Sequence, residues 1–437
     1  MPDRALKANG WAMLAASVTT AGAIFVLRSL SGPVITAVPD PVISIIVLTG
    51  LVFFLPSFFA GIPAPILSMI AVHFHADRRG RALGAMFAAG AWGAILGTLA
   101  AGFVFISWLG STGTLVVVAA VYAALGLQSL FAAGSLRGAG LGGVAVLVPV
   151  SLSFGAMNMP DPCTVESNYF CIRVIDTPSS AGGLTRLMVL DHLVHGAADQ
   201  ADARAMMTPH AMMLDGLARL RMEDRAAWSA FFVGGGSYSV PRGWHALGTP
   251  VQITVAEIDA AVTETAINAF WYEPGDDRII HADARQTLSR ESTRYDVIIG
   301  DAFSDIAVPQ HLITREFFEL VRARLTDEGV YLMNIIDHSD RLDVLASLIT
   351  TARAVWPSVE IWAIPGHDPT ETRRVFVMVA GEGPSMRSQI DHEGPMPLAA
   401  VRVAAASIEA ILDSRAPIVF TDDYAPIDRL LGDRGDG

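Results

Sequence analysis

The chain of 437 residues carries a net charge of −13 and a mean hydropathy of +0.44, which allows two or three domains and is more apolar than a soluble enzyme requires. The charge is unevenly spread: seven basic and three acidic side chains fall in residues 1–160, leaving −17 for 161–437. An acidic half of this kind repels nucleic acid and favours cationic ligands, and with Lys7 the only lysine it excludes a lysine Schiff base and a P-loop lysine.

In chain order, apolar runs cover 11–27, 41–73, 82–108, 112–134 and 141–159, each near or above the ~20 residues that cross a bilayer. They predict a transmembrane region over 1–160 of about five spans, with the lipid membrane as its partner. Pro56, Pro63 and Pro65 make 41–73 either one broken helix or two short ones. Gly84, Gly90, Gly93 and Gly97 have the small-residue spacing that permits close helix packing. Basic clusters at Arg4 and Lys7, at Arg78, Arg79 and Arg81, and at Arg137 share one side if 41–73 crosses once. The charge rule makes that side the cytoplasm of a multi-pass membrane protein and places the acidic half outside, whereas nucleoside chemistry, whose activated sulfonium compounds are made in the cytoplasm, argues for the inside. If 41–73 crosses twice, the clusters disagree. Cys163 and Cys171 are either a disulfide in an oxidising compartment or two small apolar residues in a reducing one. No Cys/His cluster has zinc spacing, so no metal is expected.

The acidic half reads as α/β. Residues 161–200 form a small β unit, with strands at 168–175 and 187–191. Residues 201–437 begin with a helix over 203–227 and continue as strand–helix alternation, the pattern of a Rossmann-like parallel sheet. Strands are predicted at 229–233, 251–257, 279–283, 295–301, 329–335, 359–363 and 375–380. Residues 381–397 read as a Gly/Pro-rich loop before a helix over 402–414.

The uncharged run Ala230–Val233 ends in Gly234, Gly235 and Gly236, as a buried strand does when it turns beneath a nucleotide. Glu257 follows 23 residues after Gly234 and suits a ribose. Asp283 suits an exocyclic adenine amine, and Asp301 ends the fourth strand of the alternation. Three carboxylates at strand carboxyl ends mark the edge where open α/β sheets bind ligands. The glycine turn is short and Pro241 follows it closely, which fits a nucleoside without a pyrophosphate, such as a sulfonium nucleoside. An amine nucleophile could then attack the carbon beside S⁺ while Asp301 takes its proton.

These residues make 163–430 resemble the polyamine aminopropyltransferase (spermidine synthase-like) family, specifically its membrane-fused bacterial members. The resemblance is carried by Glu166-Ser167-Asn168-Tyr169, Leu190-Asp191, the Gly234–Gly236 turn, Val255-Ala256-Glu257-Ile258-Asp259, Asp283-Ala284, Tyr295–Asp301 with Pro309, and Thr421-Asp422-Asp423-Tyr424-Ala425-Pro426. It implies that Glu257 binds ribose, Asp283 with Ala284 binds adenine, and Asp301 is catalytic. The implied co-substrate is decarboxylated S-adenosylmethionine, or S-adenosylmethionine itself, and the implied acceptor is a small cationic amine in a homo-oligomeric enzyme. Ser237 stands where the family has an amine-binding aspartate, Phe170 where it has a glutamine, and Pro209-His210-Ala211-Met212 where it has Tyr-His-Glu-Met. His195 replaces a second glutamine and is either an acceptor contact or a polar residue at a strand end. Asp191, His195, Ser237 and Asp305 are therefore the candidate acceptor residues, with Asp305 on a lid before Pro309. His311 is expected at the surface or as a helix cap. The alternatives are an S-adenosylmethionine-dependent methyltransferase and a catalytically inactive nucleoside or polyamine sensor.

Overall fold

A computed structural model describes residues 2–179, 183–304, 307–366, 372–392 and 398–432. The chain divides into two compact units, Met1–Asp161 and Pro162–Gly437.

The first unit is helical. Four stretches are long and apolar enough to cross a membrane among the described residues: Asp3–Ala37, Val42–Phe74, Arg79–Ala132 and Arg137–Met157. The runs expected at 82–108 and 112–134 belong to one stretch of 54 residues. It is broken at Gly110, whose φ of 67° and ψ of 179° are not helical. At 1.5 Å per residue this is about 80 Å of helix, enough for two crossings. Large apolar side chains face outward along it, including Phe87, Phe103 and Trp108 at 77–83% exposure. The glycine stripe does not pack as the spacing suggests: a Cβ on Gly84, Gly90, Gly93 or Gly97 would meet nothing within 4 Å.

The second unit contains two sheets. The small sheet has the order β1 (Val165–Glu166), β2 (Cys171–Pro178), β3 (Leu184–Leu190) and β4 (Leu193–Asp199), all antiparallel. Cys163 and Cys171 are joined by a disulfide, with Cα atoms 5.2 Å apart. The expected strand at 168–175 begins instead at Cys171. Ser167, whose Oγ accepts from the Tyr169 and Phe170 amides, turns the chain first.

The large sheet is built from β5 (Trp228–Val233), β6 (Val251–Ala256), β7 (Arg278–Ile280), β8 (Tyr295–Gly300), β9 (Leu325–His338), β10 (Ser358–Ala363), β11 (Arg373–Gly381), β12 (Gln389–His392) and β13 (Leu398–Arg402). Its order is β12-β13-β10-β11-β9-β8-β5-β6-β7. The neighbours from β7 to β9 are parallel and those from β9 to β12 antiparallel. Strand order reverses between β5 and β8, the switch point at which open sheets bind ligands.

Burial explains the missing polar alternation in β5. Phe231 and Val233 enter the core on one face of the sheet, and Ala230 and Phe232 the core on the other. A central strand covered by helices on both faces has no solvent side. The helix expected over 203–227 spans only Pro209–Arg221, since Pro209 fits the first turn of a helix but not its interior. The loop expected over 381–397 contains β12, which pairs with β13.

Candidate functional site

The switch point gathers the carboxyl ends of β8, β5, β6 and β7. One cleft there is lined by Gly234, Glu257, Asp283 with Ala284, and Asp301. Residues predicted from four separate segments thus meet around one space.

The glycine turn comes first. Gly234 has a φ of 92° and Gly236 one of 51°, a region that side chains disfavour. A Cβ on Gly234 would lie 2.7 Å from the Asp301 carbonyl oxygen. Backbone, not a flexible side chain, blocks that space. Gly234→Ala is expected to destabilise the protein by about 2 kcal/mol or more, read as a shifted denaturation midpoint. An unchanged midpoint would show that the turn relaxes freely.

Glu257 follows β6 and is 6% exposed. Its Oε2 accepts from the Gly235 amide at 2.8 Å and its Oε1 from the Asp259 amide at 2.9 Å. The Gly236 amide also acts on this carboxylate. Burial pushes the carboxyl above the usual range, and the amide donors offset this only in part. Asp259 next to it caps the helix Ala260–Ala269, its Oδ1 accepting from the Ala261 amide. Its other oxygen accepts from the Ser167 hydroxyl, which ties the β1–β2 turn to this edge.

Asp283 caps the helix Ala284–Arg290 through Gln286, and its Oδ2 lies 2.7 Å from His311 Nε2. His311 was expected at the surface or as a cap. It is half-exposed, but it lines the cleft from the segment that covers it. Asp301 follows β8, and its Oδ1 accepts from Asn334 Nδ2 at 2.8 Å. Asn334 is a buried residue of β9.

His195 lines the same cleft and faces the Phe303 ring edge-on at 6.4 Å. Ser237 lines an adjoining cavity that shares His195, Gly234 and Asp301 with the first. Asp191 is not brought to either cavity. It lies in the two-residue turn between β3 and β4 with a φ of 54°, and its Oδ1 accepts from the Cys171 amide. Asp305 lies outside the described residues. Among the described residues no group of three or more His, Cys, Asp or Glu side chains could hold a metal.

Arg285 completes the cleft's support. It binds Asp422 through two contacts of 2.6–2.7 Å and donates to the His311 carbonyl at 2.9 Å. Asp422 also accepts from Thr314. The arginine holds the Asp422 carboxyl below its ordinary range. This clamp fastens the Thr421–Tyr424 bridge to the covering segment. Arg285→Gln is expected to cost about 1 kcal/mol, since the pair is partly exposed, read as a lowered thermal midpoint. An unchanged midpoint would show that the clamp adds nothing to stability.

No family model matches the chain. Its sequence is 34% identical over 112 residues to a probable polyamine aminopropyl transferase of Bifidobacterium longum, covering 26% of this chain and 25% of that protein. It is 32% identical over 115 residues to a polyamine aminopropyltransferase of Vibrio vulnificus, covering 25% of this chain and 38% of that protein. The chain therefore matches less than two fifths of the length of each relative. A probable spermidine synthase from Corynebacterium glutamicum superposes with a TM-score of 0.51 at 19% identity, over 61% of this chain and 99% of that one. The α/β fold is thus shared with that structure.

Proposed function

We propose that the protein is a membrane-anchored transferase of the aminopropyltransferase type, which moves an alkyl or aminopropyl group from a sulfonium nucleoside to an amine. The observation that carries this reading is the convergence of Glu257, Asp283 and Asp301 on one cleft at the switch point. The partial similarity to the two aminopropyltransferases supports it. In this reading Glu257 accepts from the ribose hydroxyls, and Asp283 with Ala284 meets the adenine edge. The Gly234–Gly236 turn lets the backbone approach the ligand closely, and decarboxylated S-adenosylmethionine is the donor.

The reaction is a displacement. The lone pair of a neutral amine attacks the carbon beside S⁺. The N–C bond forms as the C–S bond breaks, and the bonding pair returns to sulfur, leaving a neutral thioether nucleoside. The proton lost from nitrogen passes to the Asp301 carboxylate, which Asn334 holds in place. Alignment of amine and carbon supplies much of the remaining rate.

The four apolar stretches serve as the membrane anchor, with Arg79–Ala132 crossing twice to give five spans. The basic clusters and the Cys163–Cys171 disulfide favour an extracytoplasmic catalytic unit. Incubation of the full-length protein with decarboxylated S-adenosylmethionine and a panel of amines, followed by mass spectrometry, tests the activity. The expected products are an amine heavier by the transferred group and an equal amount of thioether nucleoside. Methyl transfer from S-adenosylmethionine would make the protein a methyltransferase, and nucleoside binding without any product would make it a sensor.

A further inference from the structure

The adjoining cavity, about 30 Å³, lies against the same glycine turn, and Asp301 and His195 border both spaces. Asp301 is the only carboxylate lining it among the described residues. The other polar side chains are His195, His210, Ser237 and Ser239, and the remaining wall includes Leu214, Phe232, Val240 and Ile299. A space bordered by the proton-accepting carboxylate is where a nucleophile would sit.

The two hydroxyls have a fixed polarity. Ser239 Oγ donates to the Ala197 carbonyl at 2.7 Å. A hydroxyl has one hydrogen, so the 2.6 Å contact between Ser237 and Ser239 must be donated by Ser237. Both hydrogens are spent inside the protein, and Ser237 Oγ is left with acceptor capacity alone. It therefore suits an N–H donor. The position is also tightly confined. Ser237 is 3% exposed, and a Cβ on Gly196 would lie 2.1 Å from its Oγ. The hydroxyl thus occupies the space that a side chain at Gly196 would need.

We infer that the acceptor is a short monoamine, whose single nitrogen is shared between Asp301 and Ser237 Oγ and whose hydrocarbon tail meets the apolar wall. This rests on the transferase reading above. A diamine would set a second ammonium against Leu214 and Val240, where no carboxylate among the described residues compensates the lost hydration.

Steady-state kinetics of the full-length protein test this, with decarboxylated S-adenosylmethionine as donor and propylamine, butylamine and 1,4-diaminobutane as acceptors. The readouts are release of thioether nucleoside and the mass of the alkylated amine. A monoamine should exceed the diamine in kcat/KM by about tenfold or more, the factor expected when a charge is left unpaired. Ser237→Ala should raise the monoamine KM about fivefold, the loss of one hydrogen bond, with donor affinity by calorimetry unchanged. Equal or higher kcat/KM for the diamine overturns the inference and leaves the transferase standing. So does an unchanged monoamine KM in Ser237→Ala. Donor binding without alkylation of any amine also overturns it. Absence of donor binding removes the transferase reading itself, and the inference with it.

Discussion

Asp301→Asn is expected to lower turnover by about 10²–10⁴-fold, the range for loss of a general base, while nucleoside affinity stays within about threefold. Asp301 follows the strand at the centre of the switch point and borders both cavities. Its carboxylate accepts from Asn334, and an asparagine carbonyl can accept the same bond. In the proposed reaction the substitution therefore keeps shape and position but removes the site for the amine proton. Because the nitrogen must shed that proton as the N–C bond forms, the loss falls on kcat. Single-turnover kinetics beside donor calorimetry separate the two effects. Full turnover in the variant would remove Asp301 from the proton's path, and a parallel collapse of donor affinity would make it a binding residue instead.

Glu257→Gln is expected to act on the other step, weakening nucleoside binding by roughly 10–100-fold, which corresponds to the loss of a charged hydrogen bond worth about 1.5–3 kcal/mol. In the proposed site the carboxylate accepts from a ribose through oxygens already oriented by the Gly235 and Asp259 amides. Its pH dependence has a definite sign. Burial raises the folded-state pKa above the ordinary value, so the folded protein holds this proton at a pH where the unfolded chain has released it. Donor affinity should accordingly fall on acidification at a pH above the normal carboxylate range, as the acceptor becomes protonated. Stability moves the other way: ionising the buried group costs stability as pH rises from the unfolded pKa to the folded one. Glu257→Gln should flatten the affinity profile. A profile equally steep in the variant would assign the titration to another group.

The parts of the site that were legible in the sequence are those fixed by short-range pattern. Phe231, Phe232 and Val233 had to be buried on both faces, and the glycines after them had to turn. Glu257, Asp283 and Asp301 follow from counting strand ends. The residues that hold these groups were hidden because their partners are distant in sequence. Asn334 is 33 positions from Asp301, and its one signal is a polar side chain inside the apolar run Met333-Asn334-Ile335. His311 is 28 positions from Asp283 and Arg285 is 137 from Asp422, separations that no short-range pattern spans.

The fold shows the same division. β4 was not predicted because Gly196, Ala197 and Ala198 lack the branched side chains that announce a strand. It forms because β3 offers a partner across a two-residue turn. β9 extends back to Leu325 through Thr326, Asp327 and Glu328, residues whose polarity reads as a turn. Pairing of Leu325 with Tyr295 holds that end in the sheet. Asp191, expected at the acceptor, lies in the turn between β3 and β4, where its side chain accepts from the Cys171 amide at the start of β2.

The most direct measurement is calorimetric titration of decarboxylated S-adenosylmethionine into the full-length protein and its Glu257→Gln variant at neutral pH. Saturable binding at one site per chain, weakened at least tenfold in the variant, is the expected result. No binding to the wild type, or equal affinity in the two proteins, would contradict a nucleoside site built on Glu257, Asp283 and Asp301.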